Sequence, residues 1–315
     1  MKKTAILIPC YNEEKTIASV VHDFKAQLPD ADIYVYDNNS SDKTAAVAQQ
    51  AGALVYSEKR QGKGHVVRSM FRAISADIYI MVDGDGTYPA DQVHNLIAPI
   101  IAGDADMVCG SRLHPHSESD FKWLNWMGNK VFLHLLNFIF KVRITDILSG
   151  YRAFNRNIVK SLPILSRGFE IETELTLKAI ERRYRIVEIP VDLISRPEGS
   201  ISKIRIVNDG ILILSTIFAL LRDYKPMTAF GIVGLFLIFL GFIPGTIVIH
   251  EFITTGYILH IPSAILAVGL VLSGTLVVFA GLILHTMSRR FQELDCQLQN
   301  LNELHQKQFH EDKKF

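Results

Sequence analysis

The sequence predicts an α/β domain built on a parallel sheet with helices on both faces, followed by a membrane hairpin. Up to about residue 200, short apolar strands alternate with helical patterns, the order that produces parallel sheets. Downstream, residues 227–249 and 261–284 are uncharged runs of 23 and 24 residues, each longer than the roughly 20 needed to cross about 30 Å of hydrocarbon. A content of 49% hydrophobic with 21% charged residues over 315 positions reflects the averaging of these two unlike segments.

Taken in order, residues 5–9 read as a strand, 13–28 as a helix, 32–36 as a strand, 42–51 as a helix, 53–56 as a strand, 64–73 as a helix and 78–82 as a strand. The opening Met1-Lys2-Lys3-Thr4 leads into an apolar run too short for a signal-peptide core, so no export signal is expected. Ligands of parallel sheets bind beyond the carboxyl ends of the strands. That rule singles out the turns 9–14, 37–42 and 83–87. The first carries Pro9-Cys-Tyr-Asn-Glu-Glu14 without a glycine, which excludes a dinucleotide fingerprint. Gln61-Gly-Lys-Gly-His65 lacks the upstream glycine and the Ser/Thr of a Walker loop.

The third turn, Asp83-Gly-Asp-Gly-Thr87, can aim two carboxylates at one spot while its glycines remove bulk. Hard oxygen ligands of this kind suit Mg²⁺ or Mn²⁺ shared with substrate phosphates, although Asp-Gly is also ordinary turn chemistry. Asp42 reads as the cap of the helix that follows it. Net charge is +1, from 33 Lys and Arg against 32 Asp and Glu, which argues against a nucleic-acid partner. Cys10, Cys109 and Cys296 are too few and scattered for a disulfide framework or a C-x-x-C metal site, and a reducing compartment is expected.

Arg222 and Lys225 precede the first span and Arg289 and Arg290 follow the second, whereas the loop 250–260 holds no Lys or Arg. By the positive-inside rule, both termini and the α/β domain are expected on the cytoplasmic side of the cell membrane. The expected organisation is a catalytic domain over 1–204, an interfacial amphipathic helix over 205–225, a transmembrane hairpin over 226–285 and a C-terminal helix over 286–315. In the last segment Phe291, Leu294, Leu298, Leu301 and His305 follow a heptad seam, fitting a homo-oligomer, dimer or tetramer, or a stripe packed on the protein itself. Residues 121–140, with Trp123, Trp126, Lys122 and Lys130, suit the lipid headgroup region or a helix packed on the domain.

Six motifs recur in order: Pro9-Cys-Tyr-Asn-Glu-Glu14, Tyr36-Asp-Asn-Asn-Ser-Ser-Asp-Lys-Thr44, Asp83-Gly-Asp85, Gly110-Ser-Arg112, Ser149-Gly-Tyr-Arg152 and Arg196-Pro-Glu-Gly-Ser-Ile-Ser-Lys203. Over about residues 4–205 they resemble the family 2 glycosyltransferases of GT-A fold. More narrowly they resemble the polyprenol-phosphate glycosyltransferases, the group of dolichol-phosphate mannose synthase and its bacterial relatives. The resemblance implies a GT-A type, Rossmann-like, mostly parallel sheet, a nucleotide-sugar donor, Mg²⁺ or Mn²⁺, and a polyprenyl-phosphate acceptor, undecaprenyl or dolichyl, at the bilayer. It implies that Pro9, Tyr11, Glu13 and Asp37 hold base and ribose, that Asp83 lies near ribose and metal, and that Asp85 ligates the metal. Arg196 and Lys203 would clamp the diphosphate, with Lys63 a further donor-side candidate. Arg112 would face the acceptor phosphate, with Lys122 and Lys130 beside it.

The chain departs from the mannose-synthase pattern at Asn38, where a second aspartate is common, and at Gly86-Thr87, which replaces Leu-Gln. Both departures favour a UDP-sugar such as UDP-glucose or UDP-N-acetylglucosamine over GDP-mannose. Arg112, Arg152, Arg196 and Lys203 also admit a plain reading as solvated surface charges. Of Glu170, Glu172 and Glu174, which alternate at a helix start, not all can face one site. A processive synthase would need more spans and a Gln-x-x-Arg-Trp motif, both missing from the sequence. The sequence also admits a transferase with a non-lipid acceptor and a catalytically silent membrane scaffold.

Overall fold

Strand β1 (Thr4–Cys10) buries the whole run Ala5-Ile-Leu-Ile8, as a central parallel strand covered on both faces must. In the computed structural model, which describes residues 2–112, 133–134, 136–138, 140–166, 168, 171–194, 222 and 225–311, it lies between β2 (Asp32–Asp37) and β4 (Ile78–Met81), parallel to both. With β3 (Leu54–Ser57), β5 (Met107–Ser111), β6 (Arg152–Asn155) and β7 (Ile186–Pro190), these strands form one sheet in the order β3-β2-β1-β4-β6-β5-β7. Only β6 runs antiparallel to its neighbours, inserted between β4 and β5.

Alternate residues of the strands feed two cores. Ile6, Ile8, Ile33 and Ile80 meet Val20 and Phe24 of α1 (Ile17–Gln27) and Leu96 of α4 (Val93–Ala102) on one face. Leu7, Tyr79 and Met81 meet Val67 and Met70 of α3 (Lys63–Ala73), Ile158 of α5 (Arg156–Ser161) and Leu175 of α6 (Ile171–Glu181) on the other. The expected helix over 13–28 starts later, because Glu13–Thr16 form a turn in which the N–H groups of Thr16 and Ile17 donate to the Glu13 carbonyl at 3.1 and 3.0 Å. Asp42 is not the cap residue expected of it: the cap position of α2 (Thr44–Gln50) is Lys43, and Asp42, one residue earlier, closes a turn by accepting from the Thr44 N–H at 3.0 Å.

Arg152 corrects its own plain reading as a solvated charge. It is fully buried on β6, donating to the carbonyls of Ser149 (2.8 Å) and Ile147 (2.7 Å) and to Thr176 Oγ1 (2.7 Å). A guanidinium with its donors satisfied inside the protein ties the β6 entrance to α6.

Residues 1–204 and 205–315 are separate compact units. The second contains α7 (Pro226–Thr255) and α8 (Ile261–Glu311), both long and apolar enough to cross a membrane. Their backbones approach through small residues: a Cβ added at Gly234 would lie 2.7 Å from the Gly274 carbonyl, and one at Gly241 would lie 3.1 Å from that of Ala267. Leu235, Phe236, Phe239 and Phe279 are left exposed, as side chains facing lipid would be. The second of these helices, α8, runs on past residue 285 without interruption to Glu311. No proline or glycine interrupts 285–311, so nothing local stops it. Phe291 and Leu294 are exposed, while the side chains of Leu298, Leu301 and His305, the tryptophans and the expected interfacial helix (apart from Arg222 and Lys225) lie outside the described residues.

Arg152→Ala should lower the stability of the unit over residues 1–204 by about 3–5 kcal/mol, since it opens a cavity and strands three buried acceptors. Chemical unfolding of the full chain in detergent, followed by circular dichroism, checks this, and a loss below about 1 kcal/mol would contradict it.

Candidate active site

The carboxyl ends of β1, β2 and β4 deliver three turns to one edge of the sheet. Cys10 is in register with Asp37, and Met81 with Arg152. The β4 turn is held from α1, whose preceding Thr16 hydroxyl donates to the Gly84 carbonyl at 2.7 Å. Gly84 has to be glycine, because a Cβ there would sit 2.7 Å from Cys10 Sγ, and Gly86 adopts a left-handed φ of +72°. Asp85 Oδ1 accepts from the Thr87 N–H (3.2 Å) and hydroxyl (2.7 Å), which fixes the rotamer of the second carboxylate.

Asp83 is fixed differently. Its Oδ1 lies 2.5 Å from Lys63 Nζ, and that ammonium lies 2.5 Å from Glu172 Oε1 on α6. The side chains of Asp83, Lys63 and Glu172 are 29%, 10% and 5% exposed, so the trio runs from the cleft floor into the protein. Burial alone would favour a neutral amine, but the two carboxylates outweigh it and hold the Lys63 pKa above its ordinary value. On its far side Asp83 abuts Gly150, where an added Cβ would run into the carboxylate. The Gly150 N–H donates to the buried Tyr88 hydroxyl at 3.0 Å.

Lys63 is aimed by the loop 58–62. Asn38 donates through Nδ2 to the carbonyls of Glu58 (2.9 Å) and Arg60 (2.8 Å) and accepts the Gly62 N–H at 2.7 Å. Gly62 takes φ +127°, which only glycine adopts without strain, and α3 begins at the next residue. Glu58 accepts from Arg60 N, Nε and Nη2 at 2.9–3.0 Å and from the Ser69 hydroxyl. The Arg60 hydrogen bonds and charge, aided by Ser69, hold the Glu58 pKa down to about 2.

Toward β2, Asp37 Oδ2 accepts from the Ser40 N–H at 3.3 Å, whereas Oδ1 is buried and has no hydrogen-bond partner. Pro9 is in register with Tyr36, Tyr11 is half-exposed at the end of β1, and the Glu13 N–H donates to Thr44 Oγ1 at 2.8 Å. Asn12, at φ +57°, accepts the Ser41 N–H at 2.8 Å and so joins the first two turns. Pro9 and Asp37 at the strand ends, Tyr11, Glu13, Asp83 and Asp85 on the turns, and Lys63 at the start of α3 therefore all belong to this one edge.

Beyond β5, the Arg112 guanidinium makes a two-pronged pair with the buried Asp146, Nε to Oδ2 at 2.7 Å and Nη2 to Oδ1 at 3.1 Å. Burial would raise the Asp146 pKa, but Arg112 outweighs it and holds the carboxyl below its ordinary range. Glu188 on β7 in turn accepts the N–H groups of Thr145 (2.8 Å) and Asp146 (3.0 Å). The Ile194 N–H donates to the Thr87 carbonyl at 2.9 Å, so the chain leaves β7 alongside the Asp83–Thr87 turn two residues before Arg196. Arg196, Lys203, Lys122 and Lys130 themselves lie outside the described residues. Glu174 points elsewhere, accepting the Leu165 and Ser166 N–H groups at 2.9 Å and pairing with Lys178. Asp146, Glu188 and Gly150 carry no signal of their own in the sequence; for Gly150 its place in Ser149-Gly-Tyr-Arg152 is the one pointer.

The family profile described as Glycosyl transferase family 2 matches residues 5–162. The chain belongs to this family. It is 35% identical over 230 residues to the glycosyltransferase AglJ of Haloferax volcanii, covering 73% of this chain and 75% of AglJ. It is 26% identical over 214 residues to the polyprenol monophosphomannose synthase of Mycolicibacterium smegmatis, covering 63% and 80% of the two chains. A solved structure of glucosyl-3-phosphoglycerate synthase from Mycobacterium tuberculosis, in complex with Mn²⁺ and UDP-glucose, superposes with a TM-score of 0.55 at 23% identity, covering 70% of this chain and 78% of that one. That neighbour supports the GT-A fold of this family 2 chain, with its mostly parallel sheet.

Gly150→Ala should displace the Asp83 carboxylate and lower sugar transfer by about tenfold to a hundredfold with the unfolding midpoint nearly unchanged. Steady-state kinetics beside a melting curve decide it; full activity would show that Asp83 need not sit against Gly150. Because the folded Glu58 pKa lies below the ordinary 4.5, its stabilising contribution is complete above about pH 4.5 and is lost as pH falls toward about 2. Glu58→Gln should therefore flatten the acid limb of stability against pH, and an unchanged slope would refute the assignment.

Proposed function

We propose that this family 2 enzyme transfers one sugar, with inversion, from a nucleotide-diphosphate sugar to the phosphate of a polyprenyl phosphate at the cytoplasmic face of the cell membrane. A UDP-hexose such as UDP-glucose or UDP-N-acetylglucosamine is the favoured donor and undecaprenyl phosphate the favoured acceptor. The observation that carries the reading is the single edge that gathers Asp37, Lys63, Asp83 and Asp85. The buried, unpartnered Asp37 Oδ1 is an acceptor suited to an N–H of a nucleobase. Asn38 spends both polar ends inside the protein, so the preference for UDP rests on Gly86-Thr87 alone. The similarity to the polyprenol monophosphomannose synthase supports a second reading, with GDP-mannose as donor.

Asp85, with Asp83 next to it, would hold Mg²⁺ or Mn²⁺. Among the described residues no cluster of three or more metal-binding side chains exists, so donor phosphates and water would complete the shell, as hard cations of this kind accept. Such an ion, when bound, supplies positive charge against the leaving diphosphate. Arg196 and Lys203, next along the chain after Ile194, would clamp the same phosphates. Arg112, its fork oriented by Asp146, would position the acceptor phosphate, with Lys122 and Lys130 assisting. That phosphate is anionic at neutral pH, so the transfer needs no dedicated general base. A long-chain acceptor leaves the bilayer only at about 0.8 kcal/mol per CH₂, which gives the two apolar helices their purpose as tethers. A homo-oligomer, dimer or tetramer, would form through the seam that starts at Phe291.

The test incubates the full chain with Mg²⁺, undecaprenyl phosphate and a panel of UDP- and GDP-sugars, with lipid products followed by mass spectrometry. One sugar-loaded lipid monophosphate of inverted configuration is expected, and Asp85→Asn should lower its rate by at least about a hundredfold. Retained configuration, near-normal transfer by the variant, or glycosylation of water-soluble acceptors alone would overturn the reading.

A further inference from the structure

We infer that Glu172 is a positioning residue for the donor site: it anchors the Lys63 ammonium at the cleft floor so that the cation stays in place when Asp83 turns to a ligand. The inference rests on the proposed nucleotide-sugar donor. Lys63 Nζ is shared equally, at 2.5 Å, between Asp83 Oδ1 and Glu172 Oε1. The two carboxylates are not equivalent, because Glu172 is 5% exposed and Asp83 29%. Glu172 is the inner partner, in the first turn of α6, where the helix N-terminus favours a negative charge. Asp83 is the outer partner, at the mouth of the turn that the donor must meet.

Two hydrogens of the ammonium are taken by these carboxylates, and the third has no acceptor among the described residues. A donor oxygen arriving beside Asp83 finds that N–H ready only if the ammonium does not follow Asp83 as the carboxylate re-orients. With Glu172 neutralised, Asp83 would become the sole counter-ion, and Lys63 would pair with it outright. The donor would then compete with that pair. No proton moves in this role. It predicts weaker donor binding with chemistry preserved once the donor is bound, whereas a general base would lose the chemical step itself.

The experiment measures binding of UDP and of GDP, each with Mn²⁺, by calorimetry on the full chain in detergent, and then transfer kinetics with whichever donor the wild type uses. Glu172→Gln should raise the dissociation constant of the nucleotide and the KM of the donor about tenfold, with kcat within about threefold and an unshifted kcat-pH profile. On a Lys63→Met background, which removes the cation that Glu172 acts through, the same Glu172→Gln change should cost less than about twofold more. A kcat loss of about a hundredfold or more with loss of a titrating limb would mark Glu172 as an acid-base group and overturn the inference while leaving the donor reading intact. Equal, additive losses on both backgrounds would likewise overturn it, as a merely structural effect. Failure of the wild type to bind either nucleotide would remove the donor reading and the inference together. Should Glu172→Gln not fold, Glu172→Asp, which keeps the charge but shortens its reach to Lys63, is measured on the wild-type and Lys63→Met backgrounds in its place, with the same outcomes deciding.

Discussion

Asp83 and Glu172 stand close together and largely out of solvent, which is costly unless a cation is buried between them, and that cation is Lys63. Much of the surrounding architecture serves to place this one ammonium. Gly62 turns the chain through a conformation closed to other residues, Asn38 ties three backbone groups of the preceding loop together, and Glu58 binds the same loop to α3 through Arg60 and Ser69. A flexible four-carbon side chain loses much of its freedom when buried. The loop meets part of that cost in advance by fixing where the side chain starts.

The single antiparallel strand has a corresponding purpose. Were β6 parallel to β4, its approach would lie at the opposite edge of the sheet; running antiparallel, it brings Ser149 and Gly150 to the carboxyl end of β4, against Asp83. The buried Arg152 stabilises that arrangement from below by satisfying the carbonyls of the turn that β6 leaves. Asp83 is thus pressed from one side by backbone that has no room for a side chain and drawn from the other by an ammonium. Its rotamer follows from both.

These dependencies explain what the sequence could and could not reveal. The first half of the sheet was legible because β1 to β4 are apolar runs bounded by turn residues, and Asp37, Asp83 and Asp85 stand directly after them. The second half was not: β6 carries a charged residue that is nevertheless buried, and the pairing of β4 with β6 spans more than 70 residues of sequence. Asn38 misleads for a related reason. Its place in a donor motif suggests base selection, but its amide is consumed by backbone groups about 20 residues away, which no local pattern displays. Sequence alone could narrow the choice only to Glu172 or Glu174, since it depends on which face of α6 meets Lys63. That α8 is one helix past residue 285 follows from a local rule, because a change from apolar to polar composition does not end a helix; a stop signal does.

Charge balance governs what the donor edge can accept. Asp83 and Glu172 share one ammonium, so this part of the floor is net negative where the proposed donor brings a diphosphate that is also negative. Two anions in a poorly solvated cleft repel, and Lys63, held by two carboxylates, cannot alone supply the balance. Positive charge must therefore enter with the donor or from chain beyond the floor. Asp85 is suited to the first route, because the Thr87 N–H and hydroxyl orient its carboxylate. The chain beyond Ile194 is suited to the second, because it departs from beside that same Thr87 carrying Arg196 and, further along, Lys203. An edge left negative in this way would discriminate against a bare diphosphate and admit one whose charge arrives already compensated.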